Sequence, residues 1–260
     1  MPPTPIALTI AGSDPSGGAG LQADLKTFHR FGVYGEAAAT LITVQNSRGV
    51  TRVDSLAADL VIAQIEAVLS DIPPHAAKTG ALGSLAVVEA VAKLAASFAF
   101  PLVVDPVTVS KHGARLLDPE SVRTLVERLI PSAFLLTPNL EEAAELAGFA
   151  VRDRESMLRA ARAIVNLGAK NVLVKGGHLE GDALDLLYTA GGEVHEFSAP
   201  RIATRHTHGS GCTYSAAITA ELAKGTALVE AVRLAKEFVT RAILTNPGLG
   251  GGQGPLNHHA

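Results

Sequence analysis

The chain predicts a three-layer α/β fold, with a mostly parallel central sheet, helices on both faces and a late antiparallel hairpin at one edge. Three observations carry this. Short apolar runs alternate with segments of helical periodicity along most of the 260 residues, the order that builds parallel sheets from strand–helix–strand units. The apolar runs end in loops rich in glycine, proline and polar residues, the longest being G-S-D-P-S-G-G-A-G at Gly12–Gly20. One late stretch breaks the alternation, because 183–188 and 193–197 are both strand-like and are joined by A-G-G, which makes an antiparallel hairpin.

Taken in order, Ile6–Ala11 is the first strand and Leu21–Phe31 the first helix, with the glycine-rich turn between them. The turn matches neither G-x-x-x-x-G-K-[ST] nor G-x-G-x-x-G. Asp24, one turn into the helix, faces either that loop or solvent. Ala37–Gln45 is a second strand closing on Q-N-S-R-G, and Asp59–Leu69 is a helix. A short strand runs into K-T-G-A-L-G at 78–83, followed by a helix over Leu85–Phe98. The strand Leu102–Val104 stops at Asp105-Pro106, a position suited to a metal ligand or nucleophile and equally to an ordinary turn.

A helix follows over Pro119–Ile130, and the strand Phe134–Leu136 leads into T-P-N-L-E-E. There Thr137 or Asn139 caps the next helix, and Glu142 in its first turn has the plain role of offsetting the helix dipole. A helix over Ser156–Leu167 precedes the strand Val172–Val174, which ends at K-G-G-H, residues 175–178. Ala227–Leu244 is the last helix. The glycine-rich tail, about 247–260, is expected to be loose, with its two histidines solvated.

Composition narrows the function. With 47% hydrophobic residues the chain is expected to form one domain over 1–260. Tryptophan is absent and aromatics are 4%, so the core is built from Ala, Val, Leu and Ile. A net charge of −3 without a basic patch argues against nucleic acid and acidic membranes as partners. One cysteine leaves no intramolecular disulfide and no multi-thiolate metal site. The first residues enter a strand pattern without a basic region, so no signal peptide is expected and the setting is cytoplasmic. The apolar window 85–104 is interrupted by Glu89, Lys93 and Pro101 and is no membrane span.

The stretch His206–Ser215, H-T-H-G-S-G-C-T-Y-S, precedes small apolar residues at helical spacing, so a helix runs from Gly211 to about Ala223. Its open amides and dipole attract an anion beside Gly209, Ser210 and Gly211. Cys212 in the first turn is biased toward thiolate by the same field. The alternative is that the glycines only shape a loop and Cys212 is a small core residue. In a parallel sheet this stretch shares the carboxyl edge with Asp105, Glu142 and Lys175. Two acids suited to a divalent cation such as Mg²⁺, a lysine and an anion-binding helix end are the inventory of phosphoryl transfer by positioning and charge neutralisation.

Motifs across nearly the whole chain carry a resemblance. They are A-L-T-I-A-G-S-D-P-S-G-G-A-G-L-Q-A-D-L-K-T at Ala7–Thr27, V-Q-N-S-R-G-V, V-D-P-V, L-L-T-P-N-L-E-E-A, V-L-V-K-G-G-H and H-G-S-G-C-T-Y-S-A-A-I-T-A. The chain resembles the ribokinase-like kinases, and within them the hydroxymethylpyrimidine/phosphomethylpyrimidine kinases of thiamine biosynthesis. The resemblance implies ATP-dependent phosphorylation of 4-amino-5-hydroxymethyl-2-methylpyrimidine to its monophosphate and then its diphosphate, in a homodimer. It implies that Asp24 and Gln45 hydrogen-bond the pyrimidine, with Gly12, Val44 and Val107 around it. It assigns Asp105 and Glu142 to Mg²⁺, Lys175 and Asn139 to the nucleotide, Gly209–Gly211 to the anion hole and Cys212 to proton removal.

Ala81 and Thr108 stand where relatives commonly carry methionine, which bears on pocket size. Rival readings are a pyridoxal kinase, a sugar kinase and a ligand sensor without catalysis. The first is disfavoured in its two-cysteine form because the loop V-T-V-S-K-H-G carries Ser110 and no cysteine. The second is disfavoured by Cys212 in place of an aspartate, and the third by the intact set Asp105, Glu142, Lys175 and Cys212.

Overall fold

Successive side chains along the central strands enter two different cores. Leu8, Ile10, Leu102, Val104, Val172 and Val174 belong to one; Ala7, Val103 and Leu173 belong to the other. That period of two, apolar on both faces, is what a sheet covered on both sides requires. The computed structural model describes residues 4–108, 113, 116–177, 179 and 181–260.

Strand β1 (Ile6–Ser13) is joined through helix α1 (Gly20–Arg30) to β2 (Tyr34–Asn46), which lies parallel to it. Strand β3 (Gly49–Ser55) then folds back antiparallel on β2. Helix α2 (Ala58–Asp71) crosses to β4 (Ala76–Thr79) on the other side of β1, and α3 (Leu85–Ala95) leads to β5 (Leu102–Val104). Helix α4 (Pro119–Thr124) starts at Asp118, whose carboxylate accepts from the Ser121 amide. It continues through a wider turn at Leu125–Leu129 and a tighter one at Ile130–Ser132, then reaches β6 (Leu135–Leu136).

Helices α5 (Leu140–Ala147) and α6 (Arg154–Val165) lead to β7 (Val172–Gly176), and β8 (Ala183–Tyr188) and β9 (Val194–Ala199) form the expected late hairpin. Helices α7 (Ser210–Ala223) and α8 (Leu228–Leu244) complete the set. Among the described residues nine strands run β3-β2-β1-β4-β5-β6-β7-β8-β9, parallel from β2 to β7. Helices α2 to α6 cover one face, and α1, α7 and α8 the other.

Two features depart from the sequence reading. Strand β3 is an additional antiparallel edge opposite the hairpin, built from the alternating run G-V-T-R-V-D-S. Residues 247–260 are not a loose tail. Leu256 sits in the core formed by α1, α7 and α8, and His258, 6% exposed, places Nε2 3.2 Å from Thr213 Oγ1. Burial, with Lys26 and His259 nearby, pulls the His258 pKa down to about 4. Only His259 is solvated as expected. Among the described residues no helix is long and apolar enough to cross a membrane.

Candidate active site

The carboxyl ends of β1, β4, β5, β6 and β7 and the start of α7 surround a cleft of about 1060 Å³. On the β2 side it is lined by Gly12, Thr43, Gln45 and Ala81, and beyond β5 by Val107 and Thr108. Toward the opposite edge of the sheet it is lined by Ala199, Ile202, Val239 and Ile243.

The centre is organised by α7, which is buried on all sides from Thr213 to Ala223 and has no capping side chain at its N-terminus. Gly209 at the N-cap has φ 79°, and a Cβ there would lie 1.8 Å from the Gly18 carbonyl oxygen. Only glycine fits, because two loops are pressed together. The Ser210 amide is taken by the Thr207 carbonyl at 3.2 Å. The following amides open on the cleft without a side-chain cap, as an anion site requires. A Cβ on Gly211 would stand 3.4 Å from Lys175 Nζ and 3.7 Å from Asp105 Oδ2, so the helix end, the lysine and the aspartate meet at one point.

Lys175 Nζ donates to Asp105 Oδ1 at 2.9 Å, and Thr137 Oγ1 donates to the same oxygen at 3.1 Å. Ser215 Oγ donates to Asp105 Oδ2 at 3.3 Å. Burial works against charge on Asp105, but Lys175 and Lys78 outweigh it and hold the carboxyl below its usual range. The first turn of α5 is a capping box. The Glu142 amide donates to Asn139 Oδ1 at 2.9 Å, and the Asn139 amide donates to Glu142 Oε2 at 2.8 Å. Asn139, not Thr137, is therefore the cap. Burial, and after it Asp105 and Glu141, push the Glu142 carboxyl up to about 7 against the pull of Lys175 and the Asn139 amide.

Among the described residues no group of three or more potential ligands gathers. Asp105 and Glu142 feel each other's charge, and Lys175 offsets both. That donor set fits a magnesium ion held partly by water and substrate phosphates, which needs no protein cage.

Several residues stand elsewhere than the sequence implied. Asp24 faces neither solvent nor the cleft. It is wholly buried, accepting from Thr9 Oγ1 at 2.7 Å and from Lys78 Nζ at 2.8 Å. The reason is the first helix's own packing, which turns Asp24 inward beneath β1 and β4. Val44 is 51% exposed and points away from the cleft, because it alternates with Gln45 along β2. Cys212 is not biased to thiolate. Burial, then Asp24 and Asp105, push its thiol up to about 11, and the opposing pull of Lys78 and the Gly20 backbone is smaller. The helix-end field is overridden by desolvation.

Gly12, Gln45, Val107, Asn139, Lys175, Asp105, Glu142, Gly209, Ser210, Gly211 and Cys212 all line the cleft, as do Ala81 and Thr108. Ser110 and His178 lie outside the described residues.

Three further groups carry the site. Lys78 is buried beside Asp24; burial works against its charge, but Asp24, Cys212 and Asp105 hold its pKa above the ordinary lysine value. Asp14 accepts from the Ser16, Gly18 and Ala19 amides at 2.8, 3.2 and 2.8 Å, and His208 Nε2 lies 2.9 Å from its Oδ2. Burial raises the Asp14 pKa, but His208 and Ser16 outweigh it and bring it to about 2. Lys236 donates to Asp185 Oδ2 and to the Ala183 carbonyl, each at 2.7 Å, closing the β8 end of the cleft. The only sequence signal for Lys78 is its place in K-T-G at a strand end.

Known proteins resemble the chain over nearly its whole length. The profile of the phosphomethylpyrimidine kinase family matches residues 14–257. A hydroxymethylpyrimidine/phosphomethylpyrimidine kinase of Streptomyces coelicolor is 50% identical over 254 residues, covering 98% of this chain and 94% of that protein. A solved phosphomethylpyrimidine kinase from Clostridium difficile is 44% identical with TM-score 0.81, covering 92% of this chain and 99% of that one. An ADP complex of Bacillus subtilis pyridoxal kinase is 40% identical with TM-score 0.91, covering 99% and 98%.

Proposed function

The chain belongs to the phosphomethylpyrimidine kinase family, and on that footing we propose how its cleft carries out the ATP-dependent phosphorylation of hydroxymethylpyrimidine in thiamine biosynthesis. The observation that carries the reading is the meeting of the uncapped α7 terminus with Lys175 and Asp105 around Gly211. Phosphoryl transfer has little covalent chemistry for a protein to do, and its catalysis is positioning and charge stabilisation.

The pyrimidine lies at the β2–β3 end, where Gln45 reads its polar edge and Gly12 and Val107 bound the ring. Val44 contributes backbone there, its side chain facing out. Asp24 acts through Lys78 and makes no contact with the ring. The apolar recess between β9 and α8 receives the nucleotide base, and Lys175, with Asn139 beside it, faces the phosphates. The Gly209–Gly211 turn stabilises charge on the transferring group. Magnesium, when bound through Asp105 and Glu142, neutralises phosphate charge. Cys212 is the group nearest the role of proton acceptor for the hydroxymethyl oxygen. The monophosphate product is the substrate of a second transfer to the diphosphate.

The chain acts as one kinase domain over 1–260, and the continuous sheet from β3 to β9 supports this. It pairs with a second copy in the cytoplasm. Exposed Ile42 and Val44 on the outer face of β2 support the pairing.

The likeness to a pyridoxal kinase favours a second reading, in which vitamin B6 compounds are the acceptor. ATP turnover by purified protein with hydroxymethylpyrimidine, pyridoxal and ribose decides between them. Turnover confined to pyridoxal would overturn the pyrimidine assignment.

A further inference from the structure

The segment after α8 does something no motif in it announces. At one point it is stitched to the turn between β2 and β3. The Gln253 amide donates to the Ser47 carbonyl at 2.7 Å, and the Gly252 amide donates to Ser47 Oγ at 3.2 Å. Ser47 is two residues beyond Gln45. At the very next residue the same segment is stitched to the loop before α7. The Gly254 amide donates to His206 Nδ1 at 3.1 Å, and the His208 amide donates to the Gly254 carbonyl at 3.1 Å. His208 in turn holds Asp14, which organises the glycine-rich turn.

The fit is close. A Cβ on Gly252 would lie 2.1 Å from the Ser47 carbonyl oxygen, and one on Gly254 would lie 2.4 Å from His206 Nδ1. The glycines of G-G-G-Q-G are therefore spacers pressed between two loops. Leu256 in the core and His258 against Thr213 fix the far end.

Resting on the kinase reading above, we infer that residues 250–256 are a positioning strap that sets the distance between the pyrimidine-reading ribbon and the phosphate-receiving turn. The sheet does not join the two loops directly, since β2 and the α7 terminus belong to different layers; their other tie runs through the β1 turn, where Thr43 Oγ1 donates to the Ser13 carbonyl at 2.9 Å and Asp14 meets His208. The strap supplies a direct link through its own backbone groups, which bond both the backbone and the side chains of the two loops. A strap residue touches neither substrate nor nucleotide, and it acts by where it places Gln45 relative to Gly209–Gly211. Displacing one reacting partner by about 1 Å can cost up to 10²-fold in rate, so small strain at Ser47 is enough to matter.

The test is steady-state kinetics of Gly252→Ala with hydroxymethylpyrimidine and ATP, together with ADP binding and thermal unfolding. The expected result is a KM for the pyrimidine raised about tenfold and a lowered kcat, with ADP affinity within about twofold of wild type. Gln45→Leu provides the benchmark for loss of the ring contact alone, raising KM without the strap. If Gly252→Ala fails to fold, Ser47→Ala is read in its place, since it removes one stitch and keeps the carbonyl. The same KM-selective change, about two- to threefold, is then expected.

Parallel loss of ADP affinity and pyrimidine KM, or no change in either, would overturn the inference. Wild-type turnover tests the kinase reading by itself, and the ratio of variant to wild type tests the strap.

Discussion

Lys78 Nζ stands 2.8 Å from Asp24 Oδ2, and neither side chain has any exposure to solvent. Removing one member of such a pair leaves the other charged in a low-dielectric interior, at a cost of about 3–5 kcal/mol. Asp24→Asn is expected to lower the urea midpoint by a corresponding amount, and Asp24→Leu combined with Lys78→Met to recover much of it. A variant of undiminished stability that lost only pyrimidine affinity would return Asp24 to the ring-binding role.

The two phosphorylations differ in what they ask of Cys212. A hydroxymethyl group must lose a proton as it attacks, whereas a phosphate monoester is already ionised near neutral pH, its second pKa being about 6. With the thiol pushed up to about 11, the first transfer is expected to accelerate as pH rises above 7, while the second does not. A positioned base contributes about 10²–10⁴-fold, so Cys212→Ala should slow monophosphate formation far more than its conversion to diphosphate. Single-turnover assays on both substrates measure this. Equal losses would make Cys212 a spacer in the anion hole.

Glu142 has its carboxyl held at about 7 by burial and by Asp105. It becomes a full anion only above that pH, so the Mg²⁺ concentration for half-maximal activity should fall as pH rises through about 7. Glu142→Gln keeps the acceptor for the Asn139 amide and removes the titrating charge. Its Mg²⁺ requirement is expected to be higher and flat with pH. A wild-type requirement that does not move with pH would leave Glu142 as a helix cap alone.

Far from the cleft, Glu36 on β2 is 7% exposed, and its Oε2 has no hydrogen-bond partner among the described residues. Burial pushes its carboxyl up to about 7. Between the unfolded value of about 4.5 and that point the folded state holds a proton the unfolded chain has lost, so stability falls as pH rises through this window. Glu36→Gln should be more stable than wild type at pH about 8, by about 1–2 kcal/mol after allowing for solvent screening, and nearly equal to it at pH about 5. Denaturant melts at the two pH values check the sign.

The periodic elements were legible because their signals are local. Alternating apolar runs, a cap at Thr137 or Asn139 and the hairpin over A-G-G each lie within a few residues, though that Asn139 caps and boxes with Glu142 emerged only from the structure. Strand β3 was not legible, since G-V-T-R-V-D-S is short, mostly polar and entered through a Ser47-Arg48 turn without the Asn-Gly signature of a hairpin. The packed segment after α8 was hidden by composition. Glycines that suggest looseness are there because Ser47 and His206 leave no room for a side chain. Asp14 and His208, 194 residues apart, join only once the sheet has formed. The upward tilt of the Cys212 equilibrium comes first from burial and then from Asp24 and Asp105 against Lys78, none of which a window around Gly209–Ser215 reveals.

Helix α7 is sheathed on every side, and its middle is rich in alanines and hydroxyl residues, Ala216, Ala217, Thr219 and Ala220 all having no exposure. Such a rod has no soft side on which to absorb an added methyl group. A larger side chain at Ala220 would therefore be relieved by sliding the whole rod along its axis, carrying Gly209–Cys212 with it. Substitutions more than two turns from any reacting atom should then present as lesions of turnover in a protein that still melts cooperatively. The chemistry of this enzyme is in that sense hostage to its interior, and a mutational scan would find the least tolerant positions where no ligand ever reaches.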